Sequence, residues 1–218
     1  MYRVADYIFD FLSQAGIGHV FLLPGGGAMH LVDAVGKNDS IHYVPTHHEQ
    51  AAGIAAEAYS RLPGKLGCVL VTTGPGVTNV MTPVAGAWID SVPMIVVSGQ
   101  VKRADLMSDS GVRQMGPQEV DTESLVDPIT KYSVTVMDAS KIRYHLERAL
   151  FEATTGRPGP VWIDVPLDIQ GAEVDPASLK GFDRPADTTT VSPDVIESLV
   201  AAVGEAERPL LFAGHGVR

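Results

Sequence analysis

Six short apolar runs, separated by stretches of helical periodicity, limit what this chain can fold into more than any other feature. They are His19 to Leu23, Ile41 to Pro45, Gly67 to Thr73, Pro93 to Ser98, Tyr132 to Val136 and Pro160 to Val165. Strands that are apolar on both faces belong in a parallel sheet with helices covering each side. Helices are expected over Val4 to Ala15, His30 to Gly36, His47 to Leu62, Val77 to Ser91 and Ser140 to Thr155. The expected fold class is therefore α/β: a doubly wound, parallel six-stranded sheet with helices on both faces. Between Val101 and Pro128 the sequence is polar, carries Gly111, Gly116 and Pro117, and lacks periodicity, so it reads as a long functional or mobile loop.

After Ile169 the character changes. Prolines, acidic residues and the run Thr188-Thr189-Thr190 give residues 171–192 the composition of a linker that follows a first domain over residues 1–170. Ser192 or Asp194 is placed to cap a helix over Val195, Leu199 and Val203. Pro209 to Gly214 reads as a strand entering the turn Gly214-His215-Gly216. A strand followed by a glycine turn is how a doubly wound domain begins, so residues 193–218 read as the start of a second α/β domain.

A chain of 218 residues with 45% hydrophobic content can bury one good core. Its formal net charge of −10 excludes the electrostatic footprint of a protein that binds nucleic acid or an anionic membrane. No run is apolar for the length of a membrane span, and Met1 to Gln14 reads as an amphipathic helix rather than a secretory signal. The lone cysteine, Cys68, lies in an apolar run and fits a buried, inert thiol in a reducing compartment, with the cytoplasm as the expected location.

Three segments carry candidate chemistry. Thr46-His47-His48-Glu49-Gln50 delivers one carboxylate to the start of a helix whose face is small and apolar (Ala51, Ala52, Ala55, Ala56, Ala58). At that position the helix dipole favours the charged form of Glu49, and burial among alanines opposes it. Thr46-x-x-Glu49 also matches a capping box, and one residue can do both jobs. His47 and His48 do not suggest metal, because adjacent residues on a helix diverge by about 100 degrees and no HExxH follows. Two glycine loops, Pro24-Gly25-Gly26-Gly27 and Gly74-Pro75-Gly76-Val77-Thr78-Asn79, follow the first and third apolar runs, where open parallel sheets bind ligands. Each is also consistent with a plain tight turn, and neither matches a dinucleotide or phosphate-loop fingerprint.

Taken together, the order and spacing of Pro24-Gly25-Gly26, His48-Glu49-Gln50-Ala51-Ala52, Thr73-Gly74-Pro75-Gly76-Val77-Thr78-Asn79, Asp90-Ser91-Val92-Pro93, Gly99-Gln100-Val101, Gln118-Glu119-Val120-Asp121 and Arg157-Pro158-Gly159-Pro160-Val161 resemble the thiamine-diphosphate enzymes. The nearest resemblance is to the acetohydroxyacid (acetolactate) synthases, and it covers Met1 to Gln170. It implies a pyrimidine-binding domain in a carboligase or lyase acting on 2-oxo acids, of the kind used in branched-chain amino acid biosynthesis. By the resemblance Glu49 is the catalytic residue. It would share a proton with N1′ of the cofactor's aminopyrimidine and so favour the imino tautomer that deprotonates the thiazolium. Pro24, Gly25, Gly26, Pro75, Gly76, Asn79 and Gln100 would line the cofactor site, and His48, Gln114 and Gln118 would lie on the substrate side.

The resemblance has two gaps. Those synthases carry a phenylalanine directly before the Gln-Glu pair, and here the residue is Pro117, which changes the expected wall beside the substrate. The family holds its diphosphate through magnesium (Mg2+) on a Gly-Asp-Gly motif in a third domain, and this sequence contains no Gly-Asp-Gly. The chain is therefore expected to act within a longer polypeptide or with a partner, as part of a homodimer or tetramer in which a neighbouring subunit supplies the diphosphate half. A flavin (FAD) without redox duty is a further cofactor that the resemblance allows. Other readings are another thiamine-diphosphate decarboxylase or lyase, a non-catalytic partner subunit of the same fold, and a nucleotide-binding domain using Pro24 to Gly27, which the missing lysine disfavours.

Overall fold

The computed structural model describes residues 2–62, 64–108, 110–186 and 190–214. They form two compact units, residues 1–184 and 185–218. The first unit contains, in chain order, α1 (Val4–Gln14), β1 (His19–Leu22), α2 (Met29–Lys37), β2 (His42–Pro45), α3 (Glu49–Ser60), β3 (Gly67–Val71), α4 (Pro75–Asp90), β4 (Met94–Gln100), α5 (Thr122–Val126), β5 (Tyr132–Thr135), α6 (Ile142–Thr154), β6 (Pro160–Pro166) and α7 (Leu167–Gln170). All six expected strands and all five expected helices are present, with bounds shifted by a few residues at most.

The sheet is parallel throughout, in the order β2-β1-β3-β4-β6-β5. Alternate residues of its central strands feed two cores. Cys68, Leu70, Ile95, Val97, Val161 and Ile163 pack with Ile8, Phe9, Leu12, Leu31 and Leu146 from α1, α2 and α6. Val69, Val71, Met94, Val96 and Trp162 pack on the other side with Ala52, Ala56, Val77, Val80 and Val84 from α3 and α4. β3, β4 and β6 therefore read as continuous apolar runs because neither of their faces meets water, and each such side chain contributes roughly 1.5–3 kcal/mol of burial.

Strand order also locates a crevice. The chain steps from β1 outward to β2 and then crosses back over β1 to β3, so α2 lies on one face and α4 on the other. At such a reversal the loops at the carboxyl ends of the neighbouring strands separate and leave space for a ligand. The β1 and β3 loops are the two glycine segments.

Two local expectations are corrected. Helix α4 starts at Pro75 rather than Val77, since a proline needs no amide partner in the first turn, and Pro75 and Gly76 thus belong to the helix. The segment between Val101 and Pro128 is not wholly irregular: it holds a 3-10 turn at Arg103–Asp105, and α5, whose start Asp121 caps by accepting from the Ser124 amide at 3.2 Å.

Residues placed in the linker by composition pack on the first unit as far as Phe182. Val4 and Val174 amides donate to the Ala172 and Tyr2 carbonyls, both at 2.9 Å, Leu179 is buried, and the Phe182 amide reaches Glu147 Oε2 at 2.6 Å. In the second unit the expected helix is present as α8 (Pro193–Glu205), capped by Ser192. The strand expected over Pro209 to Gly214 is not formed: no neighbouring strand among the described residues offers it backbone partners. His215 and Gly216, and Thr188 and Thr189, lie outside the described residues.

Candidate functional site

Glu49 is the first residue of α3, with three residues between it and the end of β2, so it stands at the carboxyl ends of the strands, as both glycine loops do. It is 7% exposed. Its Oε2 accepts from Asn79 Nδ2 at 2.9 Å, and an ideal Cβ built on Gly76 would lie 3.7 Å from its Oε1. Among the described residues Oε1 has no hydrogen-bond donor. The expected capping box is not formed. His48 caps α3 instead, its Nδ1 accepting from the Gln50 amide at 3.1 Å, while Thr46 Oγ1 donates to the His48 carbonyl at 2.9 Å. The Thr46 amide, which a capping box would give to Glu49, donates instead to the Leu22 carbonyl at 2.9 Å, and the Glu49 carboxyl group is held by Asn79 of α4.

The β1 loop meets the β3 loop through Thr72, a residue the sequence reading did not single out. Thr72 Oγ1 accepts from the Gly27 amide at 3.0 Å, and ideal Cβ atoms on Gly25 and Gly76 would lie 2.4 and 3.0 Å from Thr72 Cγ2. Gly25 and Gly76 thus both approach the same threonine methyl, and Gly76 also approaches Glu49. Pro24, Gly26 and Pro75 are exposed at the rim. Gln170 braces the β1 loop from behind, donating through Nε2 to the Gly27 carbonyl at 2.7 Å.

Gln100 ends β4 and is 2% exposed. Its Oε1 accepts from Thr73 Oγ1 at 2.7 Å and from the Val101 amide at 2.9 Å. Its Nε2 lies 3.0 Å from the Val120 carbonyl, 3.2 Å from Thr122 Oγ1 and 3.0 Å from Asp164 Oδ2. The amide is therefore committed within the protein and holds the β3 loop, the segment before α5 and β6 together. Asp164, fully buried in β6, also accepts from Ser98 Oγ, which in turn accepts from Trp162 Nε1 at 2.7 Å. Burial pushes the Asp164 carboxyl up to about 6, against the hydrogen bonds from Ser98 and Gln100. No signal marks this acid in the sequence, because it sits inside an apolar run and its partners lie far away along the chain.

On the expected substrate side His48, Gln114, Pro117 and Gln118 are exposed. Gln118 is joined to the β3 loop, its carbonyl accepting from Thr73 Oγ1 at 3.4 Å, and Gln114 Nε2 donates to the Gly116 carbonyl at 2.7 Å. The described residues contain no group of three or more His, Cys, Asp or Glu that could hold a metal ion, and no helix long and apolar enough to cross a membrane.

The arrangement is a buried carboxyl group with one oxygen held and the other open, beside backbone stripped of side chains. Such a site can share a proton with a flat, nitrogen-containing ring. Residues 2–125 match the family described as thiamine pyrophosphate enzyme, N-terminal TPP binding domain. The acetolactate synthase large subunit of Corynebacterium glutamicum is 38% identical over 208 residues, 94% of this chain and 32% of the relative. The acetolactate synthase isozyme 1 large subunit of Escherichia coli (strain K12) is 35% identical over 213 residues, covering 98% and 37%. A chloroplastic acetolactate synthase of Arabidopsis thaliana is 36% identical over 216 residues, covering 97% and 31%. The chain spans about a third of the length of these curated relatives. By the family match over residues 2–125 and the likeness to these synthases, this chain belongs to the thiamine pyrophosphate enzyme family and carries that family's N-terminal TPP binding domain.

Proposed function

We propose that this domain binds the aminopyrimidine of thiamine diphosphate and activates it for an acetolactate synthase-like carboligation of 2-oxo acids. The observation that carries the reading is the Glu49 carboxyl group, 7% exposed, fixed through one oxygen by Asn79 and open at the other beside Gly76. In this reading Oε1 is the oxygen that would share a proton with ring nitrogen N1′. Asn79 holds the carboxyl group in its orientation, and the burial of Glu49 would strengthen the shared hydrogen bond. The missing side chains at Gly25 and Gly76 admit the Thr72 side chain and so pack the two glycine loops together beside Glu49, with Pro24, Gly26 and Pro75 exposed at the rim.

When bound, thiamine diphosphate supplies a thiazolium carbon that adds to the substrate's ketone and takes up the electrons released as carbon dioxide leaves. The diphosphate and its magnesium ion are assigned to a further domain or a partner subunit, since the motif that would hold them is absent from this sequence. Association, as a homodimer or tetramer, is part of the same reading, because the resemblance implies that a neighbouring subunit supplies the diphosphate half. Pro117 in place of the expected phenylalanine favours a second reading, in which the same domain serves a lyase or decarboxylase with another acceptor.

The test is turnover by the complete protein that contains this domain. With thiamine diphosphate and magnesium, pyruvate should release carbon dioxide and yield acetolactate. Carbon dioxide without acetolactate supports the second reading, whereas no thiamine diphosphate binding and no decarboxylation of any 2-oxo acid rejects both.

A further inference from the structure

Among the described residues, the segment between β4 and α5 has one 3-10 turn and no strand to hold it, yet its backbone amides need partners as any others do. Three of them share one side chain. The Glu119 carboxyl group, 6% exposed, accepts from the Met107 amide through Oε1, and from the Met115 and Gly116 amides through Oε2 at 2.9 and 3.1 Å. Met107 stands on one arm of the loop, Met115 and Gly116 on the other. Bonds from amides to a carboxylate are stronger than neutral ones, and a loop of this length has much freedom to lose, so one residue is tying two arms that would otherwise separate.

The adjacent Gln118 lies in the left-handed region at φ 61°, where a residue with a side chain is held only by its surroundings. Its carbonyl presses on the turn after β3: an ideal Cβ on Gly74, itself at φ +64°, would fall 2.1 Å from the Gln118 oxygen. Gly74 caps α4 two residues before Gly76, which faces Glu49. A strained peptide thus joins the loop to the cradle.

We propose that Glu119 is a positioning residue: its carboxyl group clasps the two arms of this loop, seats the Gln118 peptide against Gly74, and so gives the wall carrying Gln114, Pro117 and Gln118 a single shape toward the substrate. The clasp stands on the geometry alone; that this wall faces a substrate, and which substrate, rests on the function proposed above.

Glu119→Gln is the deciding variant, because an amide offers one acceptor oxygen and turns a donor toward at least one of the three backbone amides. It is read in the complete protein by amide hydrogen exchange at Met107, Met115 and Gly116, with Val96 and Val97 of β4 as internal references, and by kinetics with pyruvate as probe. Exchange at the three loop amides should rise about tenfold while the references hold. KM for pyruvate should rise about tenfold with a smaller change in kcat, and Glu119→Asp, which keeps two acceptor oxygens, should recover part of both effects. Loop exchange as slow as in the wild type overturns the clasp, and faster exchange with unchanged KM overturns its positioning role. If Glu119→Gln does not fold, Glu119→Asp decides by the same two readings, its shorter arm releasing Met107 first. A wild type that binds no thiamine diphosphate removes the function proposed above, and loop exchange still decides the clasp.

Discussion

Asn79 donates its side-chain amide to the Glu49 carboxyl group across 2.9 Å, joining the first residue of α3 to the second turn of α4. The pair divides the labour of one carboxyl group: an oxygen for the protein and an oxygen for a ligand. Glu49→Gln keeps the first contact through its carbonyl and replaces the open oxygen by a donor. Exchange of the C2 proton of bound thiamine diphosphate, followed by NMR, should therefore fall by roughly 10² to 10⁴. An unchanged exchange rate would refute the role assigned to Glu49.

Gly25 and Gly26 make a contrasting pair. A Cβ at Gly25 would lie 2.4 Å from Thr72 Cγ2, whereas at Gly26 nothing lies within 4 Å. Gly25→Ala should cost about 1–3 kcal/mol in chemical denaturation, by forcing the two glycine loops apart. Gly26→Ala should leave stability unchanged within about 0.5 kcal/mol, so any loss of thiamine diphosphate affinity it causes reports on the rim of the pocket itself.

Asp164 should give the fold a distinctive acid response. Its buried carboxyl titrates at about 6, against an unfolded value of about 3.9. Between those values the folded chain retains a proton that the unfolded chain has released. The contribution is fully present below about pH 4, is lost as pH rises to about 6, and is level above that. A difference of about two pH units corresponds to about 3 kcal/mol. Asp164→Asn, which does not titrate, should remove this component when unfolding free energies at about pH 4 and about pH 7 are compared between variant and wild type. Identical pH dependences would show that the carboxyl group ionises in place without penalty.

Cys68 is fully buried on β3, and burial pushes its thiol up to about 12. A disulfide reagent at about pH 8 should label it only at the rate at which the domain opens, and quickly once denaturant is added. Rapid labelling of the native protein would contradict the packing of the sheet.

The centre of the sheet was legible because β3, β4 and β6 are buried on both faces, a pattern that Val69 and Leu70 satisfy by facing different cores. The second unit shows the limit of that signal: an apolar run such as Pro209 to Gly214 becomes a strand only beside another strand. At the site, Glu49 and the glycine loops were readable as types of residue, but their meeting depends on β1 and β3 being neighbours, which no local pattern encodes. Thr46-x-x-Glu49 misled because the pattern describes one option for the carboxyl group, and Asn79, from 30 residues away, offers another. Thr72 and Asp164 were silent for the same reason: each acquires its role from partners that only the folded chain brings near.

Gly99 on β4 faces the Gly27 carbonyl, and an ideal Cβ there would stand 2.1 Å from that oxygen. The obstacle is a peptide group, which every amino acid carries, so no replacement at position 27 can make room for a larger residue at 99. A library varied at both positions should return glycine at 99 whatever is chosen at its neighbour. The tolerance of the first glycine turn to redesign is thereby decided from inside the sheet, one layer beneath any ligand.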